Sequence, residues 1–161
     1  MLTDKAESIS EEKIIGLADQ LSSGSVLFSR PQAGLRFFKS IPNKLQATNR
    51  LYAALIASVT GLRHLTQEVE WILDNFYIIE GALTDIKNGI RKQEFLKLPH
   101  VASTDATFTP RVFAILSQLL KTTNNLIDKK ILNQFITVYQ RRAPLALREL
   151  SEMPNILKLN N

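Results

Sequence analysis

Over most of this chain, hydrophobic residues recur every three or four positions, which is the period of an α-helix and not of a strand. The clearest case is Val69, Ile72, Phe76, Ile79, Leu83 and Ile86, which share one helical face, while Asp74, Asn75 and Glu80 mostly fall off it. This segment holds the only tryptophan, Trp71, and predicts the central helix of an all-α domain. Upstream, Leu45, Thr48, Tyr52, Leu55, Val59 and Leu62 alternate steps of three and four, a heptad seam that predicts a helix from Asn43 to Leu62. A turn at Arg63, His64 and Leu65 leads to Thr66, a suitable N-cap, with Glu68 and Glu70 in the first turn where the helix dipole favours negative charge. The two stripes predict an antiparallel helical hairpin.

The rest of the chain continues the pattern. Ser8 and Glu11 fit a capping box opening a first helix with Ile14, Leu17, Ala18 and Leu21 inside, ended by residues 22–25. Residues 26–42 predict a connector, because Pro31 and Pro42 limit helix there, with Phe28, Leu35, Phe37 and Phe38 lying on the core. Asn88-Gly89 predicts a left-handed cap ending the central helix. A short helical piece runs from Arg91 to Leu98, stopped by Pro99, and residues 100–108 predict a loop. Thr109-Pro110 suits N-cap and first position of a helix burying Val112, Ile115, Leu116, Leu119 and Leu120. Asn124-Asn125 breaks it, and a further helix from Ile127 to Gln140 turns Ile131, Phe135, Val138 and Tyr139 inward. Ala143-Pro144 starts a last helix that Pro154 is expected to disrupt, leaving 154–161 as a tail with Ile156, Leu157 and Leu159 uncovered. No segment carries a strand signal. The expected architecture is all-α, a bundle-like array of six or seven helices around a central antiparallel hairpin. One domain of 161 residues would divide into a first helix (1–25), a connector (26–42), a helical core (43–153) and the tail.

Charge adds one refinement. Residues 27–67 carry six bases and no acid, and residues 68–86 carry five acids and no base. Opposite blocks on consecutive helices predict attraction between them within the fold. The net charge of +5 also suits an anionic partner, but no block has the dense Lys/Arg clustering with interleaved aromatics that nucleic-acid binding uses. The chain has no cysteine, which excludes disulfides, thiolate metal sites and a cysteine nucleophile and fits a reducing compartment. The acidic N-terminus lacks a secretory h-region, and no apolar run approaches the roughly 20 residues that span a bilayer. A soluble, cytoplasmic protein is expected.

Candidate chemistry is sparse. His64 and His100 have no partner at a ligand spacing, so both are expected as surface or capping histidines. Glu70 and Asp74, four apart, share a helix face as a carboxylate pair would, but pairing with bases of the neighbouring helix accounts for them. Trp71, Phe76 and Tyr77 suit packing between helices better than a sugar-stacking platform. Arg141-Arg142 is accounted for by a helix C-terminus. No phosphate loop, dinucleotide fingerprint or nucleophile elbow occurs. The residues therefore predict no catalytic site, cofactor or metal.

Three stretches carry a resemblance. Glu70-Trp71-Ile72-Leu73-Asp74-Asn75-Phe76-Tyr77-Ile78-Ile79-Glu80, then Leu98-Pro99 with Thr109-Pro110-Arg111-Val112-Phe113-Ala114-Ile115, then Phe135 through Tyr139-Gln140, Ala143-Pro144-Leu145 and Glu149-Leu150 follow in order. Together, over roughly residues 45–159, they resemble the N-terminal helical region of bacterial cyclic β-1,2-glucan synthases, large membrane glycosyltransferases that use UDP-glucose. Tyr77 stands where that family usually has histidine, Ser151 where it has tryptophan, and Asn155 where it continues apolar. That family's transferase motifs lie outside the matched region, so no catalytic residue carries over. The motif positions Glu70, Trp71, Asp74, Asn75, Phe76, Glu80, Pro110, Arg111, Tyr139, Gln140 and Pro144 are then structural or interaction residues. The resemblance implies a non-catalytic cytoplasmic module that scaffolds or regulates through protein contacts. A membrane glycosyltransferase would be one such partner, and any membrane contact would run through it. No small-molecule substrate is expected. The alternatives are a stand-alone adapter, a truncated remnant, or an anion-binding module for nucleic acid or a membrane surface.

Overall fold

A computed structural model describes residues 11–24, 26–29, 31–60, 66–102 and 108–160. Ser8, the turn at Arg63 to Leu65 with His64, and the middle of the 100–108 segment lie outside them. Among the described residues there are seven helices: α1 (Glu11–Ser22), α2 (Pro31–Val59), α3 (Gln67–Gly89), α4 (Lys92–Leu96), α5 (Arg111–Thr122), α6 (Lys129–Gln140) and α7 (Leu147–Asn160). Three short strands accompany them, β1 (Leu27–Phe28), β2 (His100–Ala102) and β3 (Phe108–Pro110). They pair antiparallel in the order β1-β2-β3, with Phe28 opposite His100 and His100 opposite Pro110. The protein is mostly all-α, as its periodicity predicts. The small sheet replaces part of the expected connector and loop. Strands of two or three residues are too short for an alternating pattern, so pairing between distant segments creates them.

The core is built from α5, α6 and α7 with one face of α1, the base of α2, the end of α3, and α4. Val112, Ile115, Leu116, Leu119 and Leu120 of α5 are buried, as are Phe135, Val138 and Tyr139 of α6 and Ile14 and Ala18 of α1. The breaks between these helices follow local chemistry. Asn124 and Asn125 take φ of 50° and 63°, the left-handed region that asparagine tolerates. Asp128 caps α6, its Oδ1 accepting from the Ile131 N–H at 2.7 Å. Pro110, one residue later than expected, is the residue before α5, and Thr109 sits in β3.

Two proline expectations are corrected. α2 begins at Pro31 and continues through Pro42, and α7 continues through Pro154 to Asn160. Each internal proline removes one backbone hydrogen bond and costs about 3 kcal/mol or more. Burial on either side outweighs that cost. Phe37, Phe38, Ile41 and Leu45 flank Pro42, and Phe37 stacks on Phe95 and meets Phe113 edge-on at 4.6 Å. Met153 and Ile156 flank Pro154, and Ile156 is fully buried, with Leu157 and Leu159 packed against the core. Of the residues expected to be left uncovered in a tail, Ile156 is therefore inside and Leu157 and Leu159 are half-buried on the core. Of the expected connector's anchors, Phe37 and Phe38 do lie on the core, carried there by helix, while Phe28 sits in β1 with its ring edge-on to Phe108.

The end of α3 also differs from its expected form. Gly89 remains helical, and Ile90 leaves in an extended conformation (φ −81°, ψ 107°), so no left-handed cap forms. Glycine serves proximity there: a Cβ on Gly89 would lie 2.7 Å from Asn155 Oδ1 of α7. Gly34 plays the same part on α2, where an added Cβ would meet His100 Nε2 at 2.9 Å. The imidazole is fully buried and cannot give way freely. Gly34→Ala is expected to cost about 1–3 kcal/mol by overpacking, despite alanine's better helix propensity, as chemical denaturation would measure.

Candidate functional site

The structure divides the motif positions into a buried group and an exposed group. The buried group assembles the second and third motif stretches. Arg111 opens α5 with its side chain 4% exposed, and Glu149, in the first turn of α7, is fully buried. Arg111 Nε donates to Glu149 Oε1 at 2.9 Å, while Nη2 donates to Glu149 Oε2 and to the Pro144 carbonyl at 3.0 Å. The Ala146 N–H donates to Glu149 Oε2 at 2.9 Å, and the Arg111 N–H to the Pro99 carbonyl at 2.8 Å. Burial works against the guanidinium's charge, but the hydrogen bonds and charge of Glu149 more than offset it and hold the group above its ordinary pKa. Tyr139 is fully buried beside this pair, and burial raises its hydroxyl's pKa while the Arg111 charge pulls the other way. Pro110 is buried, Gln140 half-buried and Pro144 exposed. A fork-to-fork pair closed on all sides cannot reach a substrate. It ties α5 to the α6–α7 turn and to α7, which is a structural role.

The exposed group is the first motif stretch, on α3. α2 and α3 form the expected antiparallel pair: Tyr52 and Phe76 stack face to face, with planes 2° apart, and Leu45 and Thr48 lie across a cavity from Ile79, Leu83 and Ile86. The stretch that its periodicity makes a central helix is nonetheless buried only at its C-terminal end, at Ile86. Toward the tip, Trp71 is 62% exposed, Tyr77 69%, Ile78 53% and Leu51 of α2 73%. Trp71 and Tyr77 are thus not the inter-helix packing expected of them, whereas half-buried Phe76 is. Asn75 donates from Nδ2 to the Trp71 carbonyl at 2.7 Å, a bond within its own helix.

Glu70, Asp74 and Glu80 are exposed, and among the described residues no ion pair joins α3 to α2. This corrects the expected pairing of opposite blocks. The seam explains it. Arg50 lies two residues from Tyr52, and Asp74 two from Phe76; two residues turn a helix by about 200°, so both charges point away from the seam that the stacked rings occupy. The ion pairs of exposed residues lie elsewhere, as at Lys158–Asp85 (2.8 Å) and Lys130–Glu11 (2.8 Å).

His100 is a second correction. It is fully buried in β2, not on the surface, and neither ring nitrogen has a hydrogen-bond partner of good geometry. Burial pushes its pKa below 6.5, and the nearby Leu98 carbonyl only partly opposes this. Folding therefore favours neutral His100. Its stabilising contribution is complete above pH 6.5 and declines as pH falls through 6.5, by at most about 1.4 kcal/mol per pH unit, until the folded-state pKa is passed. Denaturation across pH 5–8 should show this slope, and His100→Phe should remove it.

Sequence reasoning assigned no site role to Glu149 or His100. Glu149 is 38 residues from Arg111, and no local spacing marks the pair. Among the described residues no cluster of three or more His, Asp or Glu side chains could hold a metal ion, and no helix is long and apolar enough to cross a membrane.

No protein-family profile matches the chain, and no solved structure matches it significantly. The chain is 26% identical over 109 residues to the cyclic beta-(1,2)-glucan synthase NdvB of Rhizobium meliloti (strain 1021). The match covers 68% of this chain and 4% of that protein. The relationship is distant, and the chain spans a small fraction of its relative's length.

Proposed function

We propose that the chain is a non-catalytic helical module, related to a segment of a cyclic β-glucan synthase, that works by contact with another protein through its α2–α3 hairpin. The observation that carries this reading is the hairpin's outer half. Leu51, Ile56, Trp71, Tyr77 and Ile78 are exposed together on this one element, whereas Ile15, Val26, Leu27, Leu126 and Leu147, also exposed, are spread over other segments. Exposed aromatic and aliphatic residues grouped on one element, with charges around them, are the usual composition of a protein contact. The most polar cluster in the interior, Arg111 with Glu149, is sealed, which supports a role without chemistry. The distant likeness to a cyclic β-glucan synthase favours such an enzyme as the partner, and the resemblance carried by the three ordered motif stretches favours a place N-terminal to it on the cytoplasmic side.

A photo-crosslinking residue in place of Trp71, introduced in the source cells, is expected to trap a protein of discrete mass. The same residue at exposed Gln118 on α5 should trap none. No adduct at position 71 would sink the reading. So would glucosyl transfer from UDP-glucose by the purified chain, or saturable binding of a β-1,2-glucan that quenches Trp71.

A further inference from the structure

The geometry points to a docking groove for a basic amphipathic helix of a partner protein on the outer half of the α2–α3 hairpin. This rests on the hairpin being the contact surface, as proposed above, and adds the chemistry of what binds there. The inner half of the same groove shows how it is filled. There the last turn of α7 packs on α3, and Lys158 and Leu159 line a cavity of about 390 Å³ together with Lys44 and Thr48 of α2 and Ile78 and Ala82 of α3. Lys158 Nζ is 2.8 Å from Asp85 Oδ2. A helix returns nearly to the same face every seven residues. Leu51 lies seven beyond Lys44 and Trp71 seven before Ile78, and in an antiparallel pair both steps run toward the tip. Leu51 and Trp71 therefore extend the face that lines this cavity, one heptad further out, and both are exposed.

Charge decides which helix would follow. From Gln67 to Ile86, α3 carries Glu68, Glu70, Asp74, Glu80 and Asp85 and no base. Among the described residues only Asp85 of these five has an ion-pair partner, and that partner is a lysine on a helix seated in the groove. Glu68 and Asp74 stand one turn on either side of Trp71. An incoming helix that repeats the apolar-plus-lysine pattern of Leu157-Lys158-Leu159 would cover Leu51, Trp71 and Ile78 and meet these carboxylates. An anionic membrane surface would be repelled by them.

Trp71 is the chain's only tryptophan, so its emission reports on the groove directly. The test titrates the full chain with a tryptophan-free Leu/Lys peptide, apolar at i, i+3, i+4 and i+7, and with the same peptide carrying Glu in place of Lys. The Lys peptide is expected to shift Trp71 emission to shorter wavelength, saturably and one-to-one. Ile78→Asp or Leu51→Asp, both surface changes whose folding circular dichroism would verify, should weaken it about tenfold or more. Glu68→Lys combined with Asp74→Lys should reverse the preference toward the Glu peptide. The net charge of +5 makes bulk attraction favour the Glu peptide, so preference for the Lys peptide reports the local field. Equal binding of both peptides overturns the proposal. So does Lys-peptide binding unaffected by these substitutions, an emission shift on raising protein concentration alone, or one produced by anionic vesicles but not by the Lys peptide. If crosslinking at position 71 traps a protein through a segment that is not a basic helix, this inference falls and the contact-surface reading stands. If it traps nothing, both fall.

Discussion

Glu149→Ala is expected to destabilise the domain by about 3–5 kcal/mol, because it leaves the Arg111 guanidinium buried without its counter-charge. Arg111 would keep only the Pro144 carbonyl among its side-chain partners of good geometry, and the Ala146 N–H would lose its acceptor. Three elements meet at this carboxylate: the start of α5, the turn after α6 and the first turn of α7. The loss should therefore appear as one cooperative shift in urea denaturation followed by circular dichroism. Replacing the pair by apolar residues of similar size, Arg111→Met with Glu149→Leu, removes both charges and should recover most of the loss. A single substitution costing under about 1 kcal/mol would mean that water reaches the pair, as at exposed ion pairs.

Ile156→Ala is expected to cost about 2–5 kcal/mol, the range for emptying a fully buried aliphatic site. Trp71→Ala, at the larger side chain, should stay within about 0.5 kcal/mol because little of the ring is packed. The comparison discriminates sharply, since residue type alone ranks the two the other way. Equal losses would mean that the hairpin tip is covered in the isolated protein.

The sequence reached the hairpin's pairing but not its exposure. The spacing of Val69, Ile72, Phe76, Ile79, Leu83 and Ile86 correctly marks one face of α3, and Tyr52 meets Phe76 across the seam. A stripe of that width identifies which side of a helix is apolar. It does not say how far along its length another element lies against it. α7 reaches the hairpin base as far as Ile78, and beyond that point Val69, Ile72 and Phe76 of the stripe stay half-buried while Trp71, beside the stripe, faces water. The motif residues likewise read as one string, but the fold sends Arg111 and Tyr139 inside and leaves Glu70, Trp71, Asp74 and Glu80 outside.

Local chemistry determined by the sequence itself includes the helical period, the asparagine break at Asn124-Asn125, the buried faces of α1, α5 and α6, and the absence of thiol chemistry. Each depends on neighbours within a few residues, where backbone sterics, capping and amphipathic spacing act. What only the tertiary structure decided depends on segments far apart in the chain. Pro42 and Pro154 lie inside helices because packing on both sides outweighs one missing hydrogen bond. His100 is buried because Gly34 of α2 lets another helix approach its ring. Arg111 finds Glu149 across 38 residues, and among the described residues the acids of α3 form no ion pair with α2, because the apolar seam turns them away from its bases, while Asp85 pairs instead with Lys158 of α7. Burial and charge pairing are properties of surfaces brought together, and a sequence read locally contains the surfaces without their partners.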